Sequence, residues 1–191
     1  MKIALVDSSL ERSGGREFCT CHQARELAEL GHDVKVYTSG YDESALPRSL
    51  LGGADIEPVQ FGSPLFSLRM PLLPEYLHED LLLAVGKSIV KAISRERFDV
   101  VIAHSFASTW VANSCSGASR IWYCNQIPTI HHALTTNITG NVKPTANPLK
   151  RAIFRLYGYA SRSVVSRFGK VVCDSRSTAD AVKKVYGADP V

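Results

Sequence analysis

Two glycines, Gly14 and Gly15, stand where a short polar loop gives way to a helix, just behind the apolar run KIALVD at 2–7. A glycine pair at a helix start lets a ligand approach the backbone closely. The free N–H groups and the helix dipole at that point favour an anion, most often phosphate. A plain strand-to-helix connection fits the same spacing. Two nucleotide chemistries are excluded. The pair is not G-x-G-x-x-G, the loop from Asp7 to Ser13 is too long for that tight turn, and Tyr37-Thr38-Ser39 stands where an acidic residue would close the second strand. A nicotinamide site is therefore not expected, and no Walker A loop is present.

Further along, DVVIAHS at 99–105 puts His104 and Ser105 at the carboxyl end of a central strand, where open α/β sheets bind ligands. A histidine there can hydrogen-bond a hydroxyl or shuttle a proton; it can also be held by neighbouring backbone. IWYCNQIP at 121–128 ends another strand in Asn125 and Gln126, two amides that can orient a polyhydroxylated ligand but cannot act as a base near neutral pH. His131 and His132 follow in an aperiodic loop, as a titrating group or as a solvated pair. The six histidines and the carboxylates form no metal-ligand spacing, so no metal is expected. The five cysteines are odd in number and lack C-x-x-C spacing, which predicts reduced, structural thiols.

These residues need a scaffold. Short apolar runs at 2–7, 33–38, 55–61, 98–104, 120–126 and 170–175 are bounded by polar residues and separated by helical segments. That pattern predicts an α/β fold: a Rossmann-like parallel sheet with helices on both faces. Leu82, Val85, Ile89 and Ile93 follow the helical period ahead of the fourth strand. A long helix is expected over 148–168. A last one starts among the hydroxyls at 175–178 and ends at Tyr186-Gly187. Residues 63–74 and 127–147 read as irregular loops of functional length.

With 191 residues, 45% of them hydrophobic, the chain is long enough for one good-sized domain or a small pair, with a proper core. The formal net charge of +4 is spread along the chain, which argues against nucleic acid as a partner. The N-terminus enters a strand at once and no run reaches transmembrane length, so a cytoplasmic protein without signal peptide is expected. The helix at 148–168 sets Lys150, Arg151, Arg155, Arg162 and Arg167 against Ile153, Leu156, Tyr157, Ala160 and Val164. It is a solvated face or a peripheral contact with an anionic membrane, which the apolar loop at 63–74 would also suit.

Taken in order, residues 3–7, SGGRE at 13–17, LAELGHDVKV at 27–36, FDVVIAH at 98–104, IWYCNQIP at 121–128 and VCDSRSTADAVKKVYG at 172–187 resemble the N-terminal half of GT-B glycosyltransferases, in particular the family 4 retaining enzymes. The stretch YCNQIP with the closing Tyr186-Gly187-Ala188-Asp189-Pro190 is similar to a mannosyltransferase-like branch with YCHTP and YG-x-x-P motifs. Asn125 stands where many relatives carry histidine.

The resemblance implies one half of a GT-B fold, with residues 1–191 as a single Rossmann-like N-terminal domain on the acceptor side. It implies that Gly14, Gly15 and Arg16 face the diphosphate of a nucleoside-diphosphate sugar, that His104 and Asn125 carry the catalytic edge, and that His104, Ser105, Gln126 and His131 border a glycan or lipid-linked acceptor. The C-terminal donor-binding domain that completes such enzymes is not in this sequence, so the domain alone is expected to lack transferase activity. Two rivals remain open: a non-catalytic glycan- or phosphate-binding module or partner subunit of a separate donor domain, and a different nucleotide-binding α/β enzyme, against which the glycine spacing argues.

Overall fold

The structure, a computed structural model, describes residues 1–59, 87–127 and 148–191. Six parallel strands form one sheet: β1 (Lys2–Val6), β2 (Asp33–Thr38), β3 (Asp55–Pro58), β4 (Val100–Ala103), β5 (Ser119–Cys124) and β6 (Lys170–Cys173). Their order is β3-β2-β1-β4-β5-β6. The helices are α1 (Gly15–Glu29), α2 (Lys87–Ile93), α3 (Phe106–Ser114), α4 (Pro148–Val165) and α5 (Arg176–Tyr186), with a 3₁₀ turn at Arg48–Leu51.

Alternation along the strands builds two cores. Ile3 and Leu5 of β1 point to one face and pack with Val34, Val36, Ile102 and with Cys21 and Ala24 of α1. Ala4 and Val6 point to the other face and meet Val101, Ala103, Trp122 and helices α2, α3 and α5. Both faces are covered, which is why the strands read as continuous apolar runs rather than alternating ones. Complete burial of each such aliphatic side chain stabilises the fold by about 1.5–3 kcal/mol.

All six strand expectations match; β2 keeps its expected bounds, and the other five end one to three residues earlier than anticipated. Ser175 caps α5 by accepting from the Thr178 amide at 3.1 Å, and Gly187 ends it in the left-handed region at φ +70°. Helix α3 has no counterpart in the sequence reading. Phe106, Ala107, Ser108, Thr109, Val111 and Ala112 are all buried, so its sequence carries no polar stripe to reveal it. The five thiols are free. Cys124 and Cys173 pair across β5 and β6, and burial pushes both thiols up, away from reactivity. The segment 63–74, Leu82, Val85 and the loop 128–147 lie outside the described residues.

Candidate functional site

Strand order creates the site. β2 and β3 extend from one side of β1, while β4 to β6 extend from the other, so the chain reverses direction across the sheet between β1 and β4. At such a point the connecting segments diverge and leave a crevice outside the carboxyl ends. Val6 is in register with Ala103, and the His104 amide donates to the Val6 carbonyl at 2.9 Å. Asp7 and His104 are thus neighbours at the carboxyl edge of the sheet, and both are buried.

Helix α1 lies over this edge. Arg16, Thr20 and Gln23 recur at i, i+4 and i+7, so they share one helix face. The Thr20 hydroxyl donates to Asp7 Oδ2 at 2.7 Å, and Arg16 Nε lies 3.3 Å from Asp7 Oδ1. Burial pushes the Asp7 carboxyl up from its ordinary value, while Arg16 and Thr20 pull it back. Gln23 Oε1 lies 2.7 Å from His104 Nε2, and the Tyr123 ring stacks on the imidazole at 5.2 Å.

Four polar atoms at this edge are buried without a hydrogen-bond partner: Asp7 Oδ1, Arg16 Nε, His104 Nδ1 and Asn125 Oδ1. Asp7 Oδ1 and Arg16 Nε face each other as an ion pair, which leaves His104 Nδ1 and Asn125 Oδ1 open to a ligand's hydrogen bond. Asn125 is half-buried just past β5, and Gln126 is exposed. The Ser105 hydroxyl caps α3, accepting from the Ser108 amide at 3.0 Å and bonding its hydroxyl at 2.6 Å. His131 lies outside the described residues.

Helix α1 begins without a side-chain cap. Gly14 is its N-cap, and a Cβ there would collide with the Glu17 carboxylate. A Cβ at Gly15 would meet nothing within 4 Å. Arg16 is already engaged, with Nη2 2.7 Å from Glu17 Oε1. At this helix start the Glu17 carboxylate lies against Gly14, while Gly15 is uncovered. A groove of about 500 Å3 opens at the opposite end of β4, lined in part by Glu96, Asp99 and Cys115. None of the buried unpartnered atoms lines it.

Burial, with Arg16 nearby, pushes the His104 imidazole down to about 3 from an ordinary 6.5. It is neutral near pH 7 and offers a hydrogen bond rather than a charge. Between those two pH values the unfolded chain holds a proton that the folded imidazole refuses, so this group costs stability as pH falls through that window. Asp7 acts with the opposite sign above 3.8, where its raised carboxyl makes the folded chain the better proton binder. Comparison with His104→Asn isolates the histidine. Urea unfolding is expected to show the wild-type advantage over the variant shrinking by about 2 kcal/mol between pH 7 and pH 5. An unchanged gap would refute the neutral, buried imidazole.

The family model for Glycosyltransferase Family 4 matches residues 13–191. The chain belongs to this family. No curated protein sequence matches the family 4 chain. Among solved structures, the Anabaena protein HepE in complex with UDP and glucose is similar over 97% of this chain and 41% of its own, with TM-score 0.59 and 16% identity. Arabidopsis thaliana UGT89C1, complexed with UDP, is similar over 100% of this chain and 50% of its own, with TM-score 0.52 and 16% identity. The same protein complexed with quercetin gives 95%, 46%, 0.53 and 18%. The family 4 chain thus spans half or less of the length of these structures, and its sheet is one half of the GT-B architecture.

Thr20, Gln23 and Tyr123 were absent from the sequence-derived site. The signal for the first two was present: polar residues at helical spacing from Arg16, beside the buried Cys21 and Ala24. On α4, Leu156 and Tyr159 are exposed, while Arg162 Nε donates to the Val185 carbonyl at 2.8 Å. Among the described residues no helix is long and apolar enough to cross a membrane, and no three His, Cys, Asp or Glu side chains gather as a metal site.

Proposed function

We propose that this family 4 domain is the acceptor side of a retaining, nucleotide-sugar-dependent glycosyltransferase. The reaction moves a hexose from a nucleoside diphosphate to a hydroxyl of a glycan or a lipid-linked carrier. One observation carries the reading: a two-glycine helix start, open at Gly15, shares an edge of the sheet with His104 Nδ1 and Asn125 Oδ1, which are buried without partners. The first suits a diphosphate, and the second suits a group rich in hydroxyls.

Gly14, Gly15 and Arg16 take the diphosphate at the start of α1, where the helix dipole stabilises the charge that builds as the sugar–phosphate bond breaks. His104 and Asn125 orient hydroxyls of the sugar and the acceptor, and Ser105, Gln126 and His131 border the acceptor. That HepE was crystallised with UDP and glucose, and UGT89C1 with UDP, supports a sugar nucleotide as the donor class. A separate donor-binding half supplies most of the cations facing the leaving phosphate, so the 191-residue chain alone does not turn over. The enzyme works at the cytosolic face, in peripheral contact with the membrane through the basic helix α4 and the apolar segment 63–74.

An antibody raised against this domain tests the reading on the native protein. Immunoblotting is expected to reveal a band about twice the size of this chain, as one good-sized domain is joined by a second. The immunocaptured protein is expected to release nucleoside diphosphate from UDP- or GDP-hexoses. A band at the size of this chain would favour a partner subunit or binding module instead. Native protein that consumes none of these sugar nucleotides would overturn the proposal.

A further inference from the structure

We propose that Gln23 is a positioning residue for His104: by accepting the Nε2 proton it holds the imidazole in one tautomer and leaves Nδ1 as a fixed hydrogen-bond acceptor at the carboxyl edge of the sheet. The assignment of that acceptor to a sugar or acceptor hydroxyl rests on the proposed function; the tautomer does not.

The geometry is specific. Gln23 Oε1 lies 2.7 Å from His104 Nε2. An amide oxygen can only accept, so Nε2 carries the hydrogen. A neutral imidazole has a single N–H, which leaves a bare lone pair on Nδ1. That atom is buried and has no partner, in a residue only 2% exposed. Tyr123 stacks on the ring at 5.2 Å with 26° between planes, so the ring is held from a second side.

The groups around the imidazole favour the neutral form. Arg16 on α1 opposes a second positive charge, and burial opposes any charge. Asp7, the neighbouring acid at the end of β1, is already engaged by Arg16 and Thr20. Tyr123 on β5 faces the ring with its own hydroxyl held in the neutral form by burial. With the opposite tautomer, Nδ1–H would donate instead and the edge would keep Asn125 Oδ1 but lose His104 Nδ1 as an open acceptor. A bare Nδ1 takes a hydrogen bond from a ligand hydroxyl and repels a phosphate oxygen.

Long-range 1H–15N spectra of the histidine-labelled chain read the tautomer directly, with His104 identified by the signal lost in His104→Asn. The wild type is expected to show the Nε2–H form alone and no titration over about pH 5–8. Gln23→Leu is expected to lose this single-tautomer pattern. In Gln23→Glu the carboxylate accepts the same proton, so the Nε2–H form is retained, and the added negative charge moves the titration up toward that range. A wild-type Nδ1–H signal overturns the proposal, as does an unchanged tautomer in a folded Gln23→Leu. Should the leucine variant not fold, the near-isosteric glutamate variant decides, and a titration unmoved from wild type overturns the assignment. These spectra need no sugar nucleotide, so their failure leaves glycosyl transfer standing, and an absence of transfer leaves the tautomer result standing.

Discussion

Gly15→Val, introduced into the native enzyme, is expected to cut sugar-nucleotide turnover by on the order of 100-fold or more while the domain stays folded. The two halves of that expectation have separate causes. A Cβ at Gly15 meets no atom within 4 Å, and Gly15 does not adopt a positive φ, so the chain itself has room for a side chain. Valine is also a better helix residue than glycine, which keeps the stability change within about 0.5 kcal/mol. The space beside Gly15 is the surface that a diphosphate would use to reach the first N–H groups of α1. A branched side chain there holds the phosphate oxygens beyond hydrogen-bond range. Nucleoside diphosphate release and thermal unfolding, measured on the same variant, separate the two effects. Full activity in a folded Gly15→Val protein would remove the phosphate from this helix start. Loss of folding would mean instead that the glycine serves the fold.

Trp122→Ala is expected to have the largest effect on stability, a loss of about 3–5 kcal/mol. Trp122 is fully buried in the centre of β5. Its ring meets Phe106 edge-on at 5.7 Å and Tyr186 edge-on at 5.4 Å, which ties the strand to α3 and α5. Removing it leaves a cavity and breaks both aromatic contacts, each worth about 0.5–1.5 kcal/mol beyond simple burial. Against a total of about 5–15 kcal/mol, such a loss lowers the melting temperature by on the order of 10 °C. The indole Nε1 is buried without a partner, so Trp122→Phe removes a desolvated donor along with some volume and is expected to cost distinctly less. Urea unfolding of both variants checks the order. An alanine variant within about 1 kcal/mol of wild type would show that the site collapses around the vacancy.

The same tryptophan illustrates what sequence pattern can carry. IWYC in a run bounded by polar residues marks a buried strand, and that much is local. The identity of the helices that clamp it is not local, because α3 is buried nearly all round and shows no amphipathic stripe. Arg16 is a second case. Its position after two glycines points toward phosphate, yet its guanidinium lies on Asp7 and Glu17, contacts that depend on where α1 rests against β1.

By itself the sequence determined the α/β class, the positions of six strands, the glycine start of α1 and the capped end of α5. Each is written in short-range terms: runs of apolar residues, helical spacing, a capping hydroxyl, a terminal glycine. Only the tertiary structure decided that Gln23 meets His104 across 81 residues, that Thr20 and Arg16 converge on Asp7, and that His104 is buried deeply enough to stay neutral. Those facts follow from strand order. Placing β4 beside β1 brings two distant strand ends under one helix face, and burial then fixes the charge state of what meets there.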